Sequence, residues 1–324
     1  MIRDTVAALP APGPLALDDL PRTLKAHDAE LARVPAMNLI ELGGDGGRAP
    51  LPLPLKVGAW NLERCLDPER SATHVADCDL LLLSEMDSGM ARTAQRNTTA
   101  EVARLRGMSY AYAVEFLELG LGNGVERDYC TDDFNARGFH GNALMARGAL
   151  KDPFALRLYG QRQWFTSAEE PRLGERLAIG AVVETEGGPF LAVSTHLESA
   201  CGPDHRHEQM RGLIEMIDAA FPGLPVLIGG DLNTGNHNNA DWRAEGLFDL
   251  ARRAGFTVHG GGDEVQTTRP SRLTRFPERA MKLDWLFTRG MVLEDVEIRS
   301  SLGPDGVALS DHDAILGRIT GLQG

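Results

Sequence analysis

Six short polar runs in this 324-residue chain carry side chains from which hydrolytic chemistry can be built. They are Trp60-Asn61-Leu62-Glu63, Ser84-Glu85-Met86-Asp87, Thr195-His196-Leu197-Glu198, Gly230-Asp231-Leu232-Asn233, Leu283-Asp284-Trp285 and Ser310-Asp311-His312-Asp313. Each adjoins or interrupts an apolar run of strand length, so carboxylates, amides and imidazoles would gather at strand ends. Taken singly, each has a plain structural reading. Asp, Asn and Gly build turns, Glu85 could cap a helix or turn, and His196 or His312 could be a satisfied core imidazole. Asp284 is harder to dismiss, because a buried carboxylate between Leu283 and Trp285 needs a cationic or hydrogen-bonding partner, and a histidine would serve. Together the residue types suit phosphate-ester hydrolysis. Hard oxygen donors without paired cysteines fit Mg²⁺ or Mn²⁺, with water and substrate phosphate completing the shell. An Asp-His couple fixes the tautomer and charge of an imidazole, and Asp231 with Asn233 could orient a water for in-line attack.

The elements that must position these groups are mostly strands. From Leu55 onward, short apolar runs alternate with turn residues, and strands are expected at 55–60, 79–84, 110–116, 142–146, 178–184, 190–195, 225–230, 283–288, 293–300 and 314–319. Helices are fewer and interspersed. Thr98 with Glu101 reads as a capping box ahead of a helix stopped by Gly107. Met210, Leu213, Ile214, Ile217 and Phe221 share one helical face, and a third helix is expected from near Asp241 to Gly255. Residues 1–50 differ: a Pro/Ala/Leu-rich lead, one helix over 21–34, then GGDGGRAPLPLPL. They read as an extension and linker that could pack on the sheet, pair two subunits or stay mobile, leaving 51–324 as the catalytic domain.

Bulk properties narrow the function. A hydrophobic fraction of 43% can fill a full core, and a net charge of −13 supplies no overall field toward nucleic acid or anionic membrane. Arg3, Asp4 and early prolines stand where an apolar signal core would lie, and no later run reaches membrane-spanning length, so the cytoplasm is the expected compartment. Cys65, Cys78, Cys130 and Cys201 form no C-x-x-C pair and read as packing residues, with Cys201 near His205 the one candidate for reactivity.

In order, WNLE, SEMD, GNALMAR, STHLES, GGDLNT, KLDWLF and LSDHD resemble the motifs of the endonuclease/exonuclease/phosphatase superfamily, over about residues 55–320. The resemblance implies an α+β fold, a four-layered αββα sandwich of two mixed β-sheets flanked by helices, with the catalytic groups at one edge. It implies metal ligation by Glu85, with Asn61 beside the ion and Asp311 near it or near a second metal position. Asp231 would orient or deprotonate the attacking water, and Asn233 would hold it or the phosphate. His312, paired with Asp284, would contact the phosphoryl oxygens; His196 would stabilise the phosphoryl group or assist the leaving oxygen; Asn142 would border the phosphate. The glycines ahead of Asp231 would let backbone and phosphate approach closely.

Superfamily motifs do not name the ester, so selectivity must lie in loops 117–141 and 260–282. The second carries Arg269, Arg272 and Arg275, which could grip an anionic substrate or form a solvated, ion-paired surface. Tyr129, Phe134 and Phe139 could stack on bases or simply pack. The favoured expectation is a metal-dependent phosphoesterase acting on a small or lipid-derived phosphate ester. The alternatives are a nuclease acting on DNA or RNA and a non-catalytic binding module on the same fold.

Overall fold

The computed structural model describes residues 1–13, 20–274, 277–278 and 280–323. In chain order the strands begin with β1 (Thr5–Val6), β2 (Ile40–Gly44), β3 (Leu55–Arg64), β4 (Leu80–Ser88) and β5 (Ser109–Glu118). There follow β6 (Phe139–Ala146), β7 (Leu150–Arg157), β8 (Arg172–Gly174), β9 (Leu177–Thr185) and β10 (Gly188–His196). The last five are β11 (Val226–Asp231), β12 (Thr257–His259), β13 (Asp284–Arg289), β14 (Met291–Arg299) and β15 (Ala314–Leu322). The helices are α1 (Leu24–Arg33), α2 (Pro68–His74), α3 (Thr98–Arg106), α4 (Gly124–Arg127), α5 (Gln163–Thr166), α6 (Pro203–Ala220) and α7 (Leu247–Arg253).

The strands form two mixed sheets. The larger runs β1-β2-β5-β6-β4-β3-β15-β14, with β8 added to β5; the smaller runs β12-β13-β11-β10-β9-β7. Strands β3 and β4 are parallel, as are β10 and β11, and such pairs need a crossover. Helices α2 and α6 supply these crossovers.

Alternation along the strands makes the layers. Leu80 and Leu82 join Ala59, Phe190, Ala192, Leu227 and Leu286 in the core between the sheets. Leu81 and Leu83 point outward to pack with Val75 and Val102 of the α2–α3 region. On the other sheet, Leu191, Val193, Val226 and Ile228 face Met210, Leu213 and Ile217 of α6. The period-2 pattern, apolar on both faces because both are covered, yields four layers, αββα.

Several local expectations are revised. Asn97 caps α3, its side chain accepting from Ala100 N, while Thr98 Oγ1 donates to the Asp87 carbonyl, so the expected Thr98 capping box is replaced. The expected third helix is split: Asp241 caps a 3₁₀ turn at Trp242–Ala244, and α7 starts only at Leu247. Strands β7, β8 and β12, too short or too polar to read from the sequence, complete the sheets. Within residues 1–50, of the alternatives left open, packing on the sheet is the one observed. β2 pairs antiparallel with β5, β1 pairs parallel with β2, and buried His27 of α1 bonds to Gly174 of β8 through Nε2. The glycines before Asp231 also act differently from expectation. A Cβ on Gly229 would lie 2.6 Å from Leu286 Cδ2 and 2.7 Å from Leu82 Cδ1, so this glycine lets the two sheets approach. Gly230, at φ 146°, avoids a side chain that would fall on the Thr195 carbonyl.

Candidate active site

Strand register places the first three groups. His196 ends β10, Asp231 ends β11 and Asp284 opens β13, and these residues are cross-strand neighbours: His196 opposite Asp231, and Asp231 opposite Asp284. The larger sheet supplies the rest by breaking its register. Strands β3 and β4 continue through their polar runs, with irregularities between Asn61 and Arg64 and between Leu83 and Met86. Glu85 sits in the second at φ 58°, and such bulges re-aim side chains at functional edges. His312 lies just ahead of β15.

Asp231 is the hub. Its Oδ1 accepts the Asn233 backbone N–H at 2.8 Å, and its Oδ2 accepts from Asn61 Nδ2 at 3.0 Å. The same Oδ2 lies 3.5 Å from His196 Nε2 and 3.6 Å from His312 Nε2. Each imidazole turns its other nitrogen to a buried carboxylate: His312 Nδ1 lies 2.8 Å from Asp284 Oδ2, and His196 Nδ1 3.2 Å from Glu115 Oε2. Burial opposes the His312 charge, but Asp284, Asp231 and Asp311 together raise its pKa well above the ordinary imidazole value. Burial likewise opposes ionisation of Glu115, yet His196 and Arg176 hold its carboxyl down at about 2. Arg176 Nη1 bonds Glu115 Oε1 at 2.7 Å and lies 2.9 Å from His196.

A cleft of about 400 Å³ opens over this hub, lined by His196, Asp231, Asn233, His312, Glu85, Asp311 and Arg269 among others. That size suits a small ligand. The lining includes the apolar Leu273, Met281 and Leu283 as well as Trp164, Asn123 and Ser199.

Not every expected site residue is gathered here. Asn142 is fully buried, its Nδ2 bonded to the Leu177 carbonyl of the facing sheet, and is absent from the cleft lining. Arg269 borders the cleft, but its guanidinium is held by Asp313, with Nη2 2.6 Å from Oδ2. Arg272 turns to Asp67 at 2.7 Å and lies outside the lining, while Arg275 falls outside the described residues. Asn233 donates Nδ2 to the Leu197 carbonyl, which fixes its left-handed turn. Phe139 is fully buried and unable to stack on a ligand. Burial raises the pKa of the Cys201 thiol, and Cys201 bonds to Gln163, so nothing here activates it.

Four further residues join the site: Glu63, which stands in the WNLE run, and Arg64, Glu115 and Arg176, which lie outside the motifs. Glu115 bears a legible signal, a carboxylate within the apolar run Ala111–Phe116. Behind Glu85 a buried network steadies the edge. His140 Nδ1 lies 3.0 Å from Asp87 Oδ1, and Arg92 grips Asp87 through Nε at 2.8 Å and Nη2 at 2.9 Å.

Two acidic groupings bear on metal binding. Among the described residues, donor atoms of Asp231, Asp284 and His312 lie within 4.8 Å of one another. Yet His312 Nδ1 is committed to Asp284, and a protonated imidazole cannot ligate, so this group is better suited to proton handling. Glu63, Glu85 and Asp311 offer hard oxygens. Burial raises Asp311 to about 6, with Glu85 and Asp231 adding repulsion, and burial with the Asp311 charge raises Glu63 well above the ordinary value. Such crowded negative charge fits a divalent cation.

No family model matches the chain, and no curated protein matches it. Solved structures do. An endonuclease/exonuclease/phosphatase from Beutenbergia cavernae matches at TM-score 0.58 and 18% identity, over 83% of this chain and 72% of that one. The chain has the endonuclease/exonuclease/phosphatase fold. A second structure of that description, from Bacteroides vulgatus, matches at TM-score 0.55 and 17% identity, over 82% of this chain and 98% of the other. The human Nocturnin catalytic domain with bound sulfate matches at TM-score 0.55 and 17% identity, over 86% and 96%. In this endonuclease/exonuclease/phosphatase fold, the cleft lies where the edges of both sheets meet.

Proposed function

We propose that the protein is a divalent-metal-dependent phosphoesterase that hydrolyses a small phosphate ester by in-line attack of an activated water. The observation that carries this reading is Asp231: one carboxylate oxygen faces Asn61 and two imidazoles, each backed by its own buried carboxylate. Asp231, braced by the Asn233 amide, orients the water and accepts its proton at Oδ2. His312, kept cationic by the acids around it, donates from Nε2 to a phosphoryl oxygen. His196, oriented by Glu115, presents Nε2 to the leaving oxygen. Glu85, Asn61 and Asp311, with Glu63 beside them, would hold the divalent ion, which supplies charge stabilisation to the phosphoryl oxygens.

The charge balance of the cleft supports a small or lipid-derived ester. Arg64, Arg176 and Arg269, the guanidiniums lining it among the described residues, are each paired with carboxylates: Glu85 and Glu126, Glu115 and Glu198, and Asp313. A nucleic-acid strand needs a strip of available cations, whereas one phosphate with an uncharged group against Leu273, Met281 and Leu283 fits this lining. Hydrolysis of bis-p-nitrophenyl phosphate with Mn²⁺ or Mg²⁺ tests the reading. Chelation should abolish turnover, and Glu85→Gln and His312→Ala should each lower kcat by about a hundredfold or more. Turnover that survives all three refutes the assignment.

A further inference from the structure

We infer that Arg64 is a positioning residue that neutralises Glu85 until a divalent ion and an anion enter the cleft together. The inference rests on the metal reading of Glu85 given above. Glu63, Arg64 and Cys65 are three consecutive non-glycine residues with left-handed backbone, at φ 44°, 77° and 57°. Such a run is sterically unfavourable and persists only where surrounding contacts impose it. Here it follows the bulge that pairs Arg64 with Met86 on β4, and it accompanies a guanidinium bound to the Glu85 carboxylate. Arg64 Nε also bonds Glu126 Oε1 at 2.8 Å, and Nη1 stands 3.5 Å from His140 Nε2.

These two carboxylates differ in how firmly they are held. Glu126 is buried in α4, closes a capping box with Asn123 and lies 3.3 Å from Arg92 Nη1. Glu85 has, among the described residues, Arg64 as its close cation, with the His140 ring nitrogen Nε2 3.9 Å away. A divalent ion held by Glu85 would bring a second positive charge beside the guanidinium, and like charges repel. Arg64 would then release Glu85 and stay tethered to Glu126 on the cleft wall. Its freed N–H groups would be offered to an anion's oxygens, as a planar fork suited to phosphate. Ion and anion binding are therefore coupled, each strengthening the other by the same factor.

Mn²⁺ binding to the full chain, followed by electron paramagnetic resonance with and without inorganic phosphate, tests this without reference to turnover. In the wild type, phosphate should tighten Mn²⁺ binding about tenfold, a typical coupling between two sites. Arg64→Met should tighten Mn²⁺ binding without phosphate by roughly tenfold and abolish most of the phosphate effect. Glu126→Gln removes the tether, leaves Arg64 more firmly on Glu85 and should weaken Mn²⁺ binding. Opposite signs from two partners of one contact are not expected of a merely structural role. Should Arg64→Met fail to fold by circular dichroism, the wild-type phosphate effect and the sign of Glu126→Gln decide, and loss of either overturns the inference. Unchanged Mn²⁺ affinity in folded Arg64→Met, with binding lost in Glu85→Gln, overturns the role of Arg64 alone. Full Mn²⁺ binding in Glu85→Gln overturns the metal reading and this inference with it.

Discussion

His196 and His312 are near mirror images in their connections, each with one ring nitrogen on a buried carboxylate and the other toward Asp231 Oδ2. Asp284 could be read from the sequence because a carboxylate flanked by Leu283 and Trp285 demands a partner. Glu115, flanked by Val114 and Phe116, carries the same signature, but no motif surrounds it, and its tie to His196 spans 81 positions. On the mechanism proposed above, Glu115→Gln should lower kcat on bis-p-nitrophenyl phosphate by about tenfold to a hundredfold, with KM changed less than kcat, because Glu115 orients His196 without touching substrate. Glu175 provides a pH test. Burial raises its carboxyl to about 7 in the folded chain, so the folded state binds the proton more tightly than the unfolded. Its stability contribution is fully present below the unfolded value, near 4.5, and is lost as pH rises through about 7. Urea denaturation at pH 5 and pH 8 should therefore show Glu175→Gln gaining on the wild type at the higher pH, by a few kcal/mol at most, on the order of 1.4 per pKa unit.

At the level of elements, the apolar runs could be read because period-2 alternation with burial on both faces leaves long stretches of Val, Leu, Ile and Ala. The bulges could not, since a one-residue irregularity depends on which strand lies opposite. They decide where Asn61 and Glu85 point. The loop 260–282 shows the same limit: Arg269 and Arg272 look alike in sequence, yet one borders the cleft on Asp313 and the other turns to Asp67. Gly229 is an element-scale constraint between β11, β13 and β4. Gly229→Ala would press a methyl group against Leu286 and Leu82, and should destabilise the fold by about 1–3 kcal/mol in denaturant titration.

For the whole molecule, the amino-terminal segment belongs to the larger sheet. β2 covers the edge of β5, His27 bonds β8, and Arg157 of the smaller sheet reaches the Met37 carbonyl. Deleting residues 1–44 would expose the β5 edge as a pairing template. The truncated chain should aggregate at concentrations where the full chain stays dispersed, a difference that light scattering would register; a dispersed truncated chain of unchanged melting temperature would contradict this. That segment was obscure in sequence because two-residue and five-residue strands amid prolines and glycines carry too little periodicity. None of the described helices is long and apolar enough to cross a membrane. By itself the sequence marked candidate residues for chemistry and the apolar runs that form the paired sheets, because residue type and hydrophobic alternation are local properties. Only the tertiary structure decided that Asp231 faces two carboxylate-backed imidazoles, that Arg64 sits on Glu85 and that Asn142 is buried away from the cleft. Those arrangements arise from cross-strand register, bulges and charge pairing between segments far apart in the chain.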